Sequence, residues 1–288
     1  MDNKILCCDV IDGLKQIDRD SVSLIFTSPP YNVDIKYDNR DDTQPFEEYL
    51  KWMKDVFEEA YKTLRIGGRL AINIDSIKNR EDVENEYGIC IYAHLYNMMK
   101  EIGYNFRTDI CWYKQNAVGR GTAWGSYCSC SNPTLRRNHE YILVWSKGDW
   151  KLDGDPELSD MTKEEFCQYI YSTWFIPPET RKLGGHPVPF PEELARRIIK
   201  LYSYREDIVL DPFVGSGTTT AVAASLGRRW VGIDNSQKYV DFSRRRTLDK
   251  QSEFNTEQII SPYVGRTERL AMNKSTTENL QEEFYERF

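Results

Sequence analysis

The chain has 288 residues, 40% of them hydrophobic and 29% charged, with a formal net charge of −7. That size and balance fit one large globular α/β domain, or one domain with a small insert, and no apolar run approaches the ~18 residues of a membrane span. The acid excess argues against a protein coated in nucleic acid, but it leaves room for a local basic face built from Arg136-Arg137, Arg181-Lys182, Arg228-Arg229 and Arg244-Arg245-Arg246.

The first segments, Ile5 to Cys8 and Val22 to Phe26, are short apolar runs bounded by polar residues, the signature of strands covered on both faces. Phe46, Leu50, Met53, Phe57, Tyr61 and Leu64 recur at steps of three and four, which predicts a helix over 46–64. Gly67-Gly68 should stop it, and Arg69 to Ile74 reads as the next strand. Residues 91–102 read as helical, and Phe106 to Tyr113 and Tyr141 to Trp145 as extended. The Gly-, Ser- and Asn-rich stretch 115–138 reads as a long irregular loop, and the Pro-rich 149–190 as an insert or crossing connection. Pro191 suits the start of a helix carrying Leu194, Ile198 and Leu201. Strand Ile208 to Leu210, a glycine turn, a helix through Ala221 to Leu226 and strand Trp230 to Ile233 follow. A helix over 236–248 precedes a polar stretch, 249–288, whose patterning predicts nothing firm. Strands alternating with helices predict an α/β, doubly wound, mostly parallel sheet.

Two motifs carry chemistry. Asp211-Pro212-Phe213-Val214-Gly215-Ser216-Gly217-Thr218-Thr219 follows a strand and opens a helix. Its glycines let backbone approach a ligand at the carboxyl end of the sheet. Asp234, ending the next strand, stands where an acid can accept hydrogen bonds from both ribose hydroxyls of an adenosine-containing cofactor. The loop lacks the lysine of a nucleoside-triphosphate phosphate loop and the third glycine of a dinucleotide fingerprint. A tight turn with no ligand is the plain alternative. The acid at the strand end disfavours a pyrophosphate and favours a cofactor with a positively charged amino-acid moiety. The second motif is Thr27-Ser28-Pro29-Pro30-Tyr31-Asn32, at the end of the second strand. Its two prolines make a rigid turn without backbone donors, leaving the Ser28 and Pro29 carbonyls as acceptors. Taken alone, such a turn is ordinarily just a loop.

Together the motifs are far more specific. The sequence resembles the DNA amino-methyltransferases, whose catalytic motif is [DNS]-P-P-[YFW] and whose cofactor motif is similar to D-P-F-x-G-S-G-T-T. The catalytic motif comes first, the order of the circularly permuted β group. The resemblance spans about residues 4–248 and takes in Trp112-Tyr113-Lys114, Gly121 to Ser126, His139 to Trp145, His186-Pro187 and Phe190-Pro191. It implies the circularly permuted S-adenosylmethionine-dependent methyltransferase fold and a catalytic domain over 1–248, with target-recognition loops or an insert within 115–185 and a polar tail over 249–288. S-adenosylmethionine would be the cofactor. Double-stranded DNA would be the partner, with room for a cognate restriction endonuclease and a homodimer, and none for a membrane.

By the same resemblance, Ser28, Pro29, Pro30 and Tyr31 would be catalytic. Asp211, Phe213, Gly215, Ser216, Gly217 and Thr218 would form the cofactor loop, with Asp211, Phe213 and Gly215 on the methionine side. Asp234 would hold the ribose and Asp9 the adenine amine, although an acid ending a strand is often only a helix cap. An exocyclic amine on a base is a poor nucleophile, because its lone pair is delocalised into the ring. Acceptors at Ser28 and the Pro29 carbonyl would hold its hydrogens and localise that lone pair. The target base would be flipped out of the duplex and stacked on the Tyr31 ring, so the ring face rather than the hydroxyl should matter.

Serine at the first catalytic position resembles the cytosine-N4 enzymes; adenine-N6 enzymes usually carry Asp there, and one hydroxyl can serve either base. RNA or protein glutamine as substrate, and a catalytically dead DNA-binding subunit, are the rival readings. The seven cysteines form no C-x-x-C pair, and Cys128-Ser-Cys130 is tight for a zinc knuckle, so free thiols and no metal are expected. Met1-Asp2-Asn3-Lys4 lacks the layout of a signal peptide, which makes the cytoplasm the expected location.

Overall fold

The computed structural model describes residues 2–32, 38, 44–75, 89–114, 125–133, 135 and 138–260. Among the described residues, eight strands form one sheet: β1 (Lys4–Cys7), β2 (Val22–Thr27), β3 (Leu64–Ile74), β4 (Tyr104–Tyr113), β5 (His139–Lys147), β6 (Thr173–Phe175), β7 (Ile208–Asp211) and β8 (Arg229–Asp234). Their order is β1-β8-β7-β2-β3-β5-β4-β6. The first five are parallel, β5 runs antiparallel to both β3 and β4, and β6 lies parallel to β4 at the edge.

Seven α-helices among the described residues accompany them: α1 (Val10–Leu14), α2 (Phe46–Thr63), α3 (Ile91–Ile102), α4 (Lys163–Tyr169), α5 (Glu192–Tyr202), α6 (Thr218–Ser225) and α7 (Gln237–Ile260). Because side chains alternate along a strand, the sheet feeds two cores. In β5, Leu143 and Trp145 enter the core shared with α1, α2 and α3, while Ile142 and Val144 enter the core shared with α5, α6 and α7. A register shift between Val22 and Leu24 lets β2 send Val22 and Ile25 to the first core and Leu24 and Phe26 to the second.

The largest departures from the sequence expectation lie between α2 and β3 and at the end of α7. α2 ends at Thr63, and β3 begins at Leu64 and runs straight through Gly67-Gly68. The glycines do not stop a helix; they admit a crossing chain. A Cβ on Gly67, at φ +74°, would lie 2.0 Å from the Lys151 carbonyl oxygen. α7 continues to Ile260, twelve residues past the expected end at 248. Phe254 on that extension packs against Gly227 after α6. The stretch 149–190 both crosses and inserts, carrying α4 and the edge strand β6. No described helix is long and apolar enough to cross a membrane.

The parallel strands place their carboxyl ends along one edge. β7 and β2 are neighbours there, yet the chain leaves β7 through α6 on one face and β2 through α2 on the other. Where adjacent strands send their connections to opposite faces, a crevice opens at their carboxyl ends.

Candidate active site

That crevice holds a cavity of about 330 Å³. The β2 end contributes Ser28, Pro29, Pro30 and Tyr31; the β7 and β8 ends contribute Phe213, Gly215, Ser216, Thr218 and Asp234; Asp9 enters from the end of β1. Two motifs far apart in sequence thus share one chamber. Asp211 and Gly217 are not among the lining residues.

Asp211 is 1% exposed and works behind the wall. Its carboxylate accepts from the Thr27 hydroxyl at 2.7 Å and from the Phe213 amide at 3.0 Å. It therefore ties the cofactor-type loop to the last residue of β2. Burial pushes its pKa up to about 6, against the hydrogen bonds from Thr27 and Thr219 that hold it down. The expected place of Asp211 on the methionine side is accompanied by this joining role.

Asp234 lies on the wall and accepts from the Gly215 amide at 3.0 Å and the Ser236 amide at 2.9 Å. Burial raises its pKa. Each carboxylate oxygen has a second lone pair, so both can still take a hydroxyl donor. Asp9 serves twice: it caps α1 by accepting from the Ile11 amide at 2.9 Å, and it faces the cavity. Gly215 sits at φ +46°, and a Cβ there would lie 2.6 Å from His186 Nε2. Its bare backbone is thus required by the imidazole behind it. His186 packs edge-on against Tyr239, with ring centroids 5.3 Å apart, and burial lowers its pKa to about 4. It is neutral at pH 7.

With His186 neutral, the cavity is acidic. Asp9, Asp38, Asp75, Glu140, Glu179 and Asp234 line it, against Lys114. Such a wall repels phosphates and attracts cations. The Asp38 carboxylate accepts from the Ser236 hydroxyl at 2.7 Å, so it is anchored beside Asp234.

The other half of the chamber is a hydrogen-bonded line that the sequence reading missed. The Tyr31 hydroxyl lies 2.9 Å from Ser28 Oγ and 3.0 Å from the Asn73 carbonyl oxygen. Asn73 Nδ2 donates to the Tyr31 oxygen at 3.1 Å and to Glu140 Oε2 at 2.8 Å, and Glu140 is paired with Lys114. Lys114 also stands over the Trp112 ring, 4.7 Å from its centroid. Trp112-Tyr113-Lys114 and the β5 segment had entered through the resemblance, but without roles. Asn73, inside an apolar strand, was the available signal. The Pro30 carbonyl accepts from the buried Tyr49 hydroxyl at 2.9 Å, which pins the Pro-Pro turn to α2.

Among the described residues, several arginines of the short basic clusters are paired with acids. The Arg228 side chain is fully buried against Asp160; Arg229 pairs with Asp2, Arg181 with Glu179 and Arg246 with Glu192. Arg136-Arg137 lie outside the described residues, as does much of 115–138 within the expected recognition stretch 115–185, residues 121–124 included. The cysteines are unbridged thiols, and among the described residues no three metal-ligating side chains come together.

The sequence model of the DNA methylase family matches residues 22–245, most of the chain. The chain belongs to the N6/N4 DNA methylase family. The type II methyltransferase M.MjaVI of Methanocaldococcus jannaschii is 40% identical over 164 residues, covering 57% of this chain and 81% of that protein. The DNA adenine methyltransferase YhdJ of Escherichia coli is 28% identical over 288 residues, covering 94% and 90%. A Thermus thermophilus structure, described as a DNA modification methylase complexed with S-adenosyl-L-methionine, is 27% identical with a TM-score of 0.69. It aligns with 86% of this chain and 93% of that one.

Proposed function

We propose that this DNA methyltransferase acts on the N4 amine of cytosine in double-stranded DNA, at a base turned out of the helix into the cavity. Its natural setting would be the modification half of a restriction–modification pair. The observation that carries the reading is the meeting of Ser28-Pro29-Pro30-Tyr31 with Gly215 and Asp234 on neighbouring strand ends of one acidic chamber.

The methyl donor is S-adenosylmethionine, which supplies an electrophilic methyl on a positive sulfonium. The residues present fit it. Asp234 would take the ribose hydroxyls and Asp9 the adenine amine, while Phe213 and the bare Gly215 backbone would border the methionine part. Asp211, one layer behind, keeps that loop at the β2 end. The acidic wall suits a ligand with sulfonium and ammonium charges and opposes a polyphosphate.

On the β2 side, the Ser28 hydroxyl and the Pro29 carbonyl would accept the two amino hydrogens and so localise the nitrogen lone pair. The chain's contribution is alignment and electrostatics; no covalent nucleophile is needed. Tyr31 would stack on the extruded base. Serine rather than aspartate at position 28 favours cytosine. The likeness to YhdJ keeps adenine N6 as the second reading. RNA and protein glutamine are disfavoured by the cofactor string and the motif order.

The test is the product. DNA from a methylation-free host, incubated with the protein and labelled S-adenosylmethionine and then digested, should give N4-methylcytosine by mass spectrometry. N6-methyladenine alone would overturn the base and leave the class. 5-Methylcytosine would overturn the mechanism.

A further inference from the structure

We propose that the Tyr31 hydroxyl is a positioning group that commits Ser28 to being a hydrogen-bond acceptor, with the direction set by the Asn73 backbone carbonyl and supported by the line from Lys114 through Glu140 to the Asn73 amide. The inference rests on the DNA-methylation reading.

The argument is one of counting protons. A carboxylate paired with an ammonium group only accepts, so the Asn73 amide must turn its nitrogen toward Glu140, at 2.8 Å. That same nitrogen donates to the Tyr31 oxygen at 3.1 Å. The Asn73 backbone carbonyl, 3.0 Å from the Tyr31 oxygen, can only accept, so it takes the single phenolic proton. Tyr31 then has no proton left for Ser28. The 2.9 Å contact between the two hydroxyls must therefore run from Ser28 to Tyr31. With its proton turned inward, Ser28 presents only lone pairs to the cavity.

An oxygen fixed in that state suits an amino group and opposes a carbonyl. Cytosine N4 and adenine N6 donate; thymine O4 and guanine O6 accept. A freely rotating serine would tolerate all four. The line gives Ser28 the acceptor character that an aspartate has by its charge, and it spans the ends of β2, β3, β5 and β4. Residues that never touch the substrate thus shape what the first catalytic position can bind.

The experiment is a double-mutant cycle on single-turnover methylation of DNA from a methylation-free host, with S-adenosylmethionine affinity measured for each variant. Tyr31→Phe keeps the ring and should lower the methyl-transfer rate about tenfold, the effect of one lost hydrogen bond. S-adenosylmethionine affinity and the DNA concentration for half-maximal rate should stay within about twofold. Ser28→Ala should lower the rate at least as far, and Tyr31→Phe should cost nothing more in the Ser28→Ala background. Glu140→Gln leaves the Asn73 backbone carbonyl in place, so it should lower the rate less than Tyr31→Phe does, and what it costs should vanish beside Ser28→Ala. It also provides the cycle if Tyr31→Phe does not fold. Additive losses, or a parent rate in Tyr31→Phe, would overturn the inference while leaving the methyltransferase reading intact. A parent protein that transfers no label to DNA would overturn that reading and this one with it.

Discussion

His186 and Asp211 are buried in opposite electrical senses, and their effects on stability should oppose each other over nearly the same pH range. In the folded protein His186 titrates near 4 instead of 6.5. Above pH 6.5 it is neutral folded or unfolded and contributes no slope. As pH falls below 6.5, the unfolded chain binds a proton that the folded one refuses, so stability drops until about pH 4. At 1.36 kcal/mol per unit, the loss totals about 3 kcal/mol. Asp211 titrates near 6 instead of 3.8, so the folded chain binds its proton more tightly. Its ionisation costs nothing below 3.8 and about 3 kcal/mol in full above pH 6. Asp234, also raised by burial, adds in the Asp211 sense. The parent's stability should therefore change little between pH 4.5 and 6.5 on account of these groups. The variants separate them. Urea unfolding of the cofactor-free protein, at matched ionic strength, should find His186→Gln gaining on the parent as pH falls from 6.5 toward 4. Asp211→Asn should gain on the parent as pH rises from 4 to 6. Each variant carries a constant offset from lost packing or hydrogen bonds, so the slope is the signal. A difference from the parent that is flat across this range would refute the account of that residue's burial.

Asp234→Ala should weaken S-adenosylmethionine binding at least tenfold by calorimetry, because two charge-assisted hydrogen bonds of roughly 1.5–3 kcal/mol each disappear; an unchanged Kd would move the ribose elsewhere. Gly67→Ala should destabilise the protein by more than about 1–2 kcal/mol in urea unfolding, since left-handed backbone strain adds to a Cβ 2.0 Å from the Lys151 oxygen. Arg228→Leu leaves Asp160 buried without its partner and should cost about 3–5 kcal/mol by the same measurement; a loss under 1 kcal/mol would mean that the pair is not isolated from water.

The fold and the placing of the chemistry were legible because both are written in local patterns. Short apolar runs gave the buried strands, and the two loop motifs follow the strand ends that a doubly wound sheet brings together. Gly67-Gly68 misled, because a glycine pair ends helices often and marks a chain crossing rarely. Only the position of Lys151, 84 residues on, gives these glycines their reason. The extension of α7 was hidden for a related cause: Asp249 to Glu257 carries few apolar residues, and Phe254 finds its partner at Gly227 on another element. The contact of Asp211 with Thr27 was hidden as well, since only the sheet order makes the two neighbours.

The least legible feature was the line from Lys114 to Ser28, and its geometry explains why. It joins Lys114, Glu140, Asn73, Tyr31 and Ser28, which come from four strand ends and are near in sequence only at Ser28 and Tyr31. A motif records what one turn of chain can hold. A proton's direction within a network depends on acceptors that other elements of the fold bring to it. Tyr31 illustrates the difference. Its place after Pro-Pro speaks for a ring that stacks, and on that evidence the hydroxyl is spare. In the folded chain that hydroxyl lies between Ser28 and Asn73, so on the proposed reading the two parts of one side chain have separate work. The ring offers a surface to any base, and the oxygen restricts which group can sit at Ser28. Discrimination between amine and carbonyl would then arise beneath the catalytic loop, while discrimination among DNA sequences is left to side chains that reach the grooves.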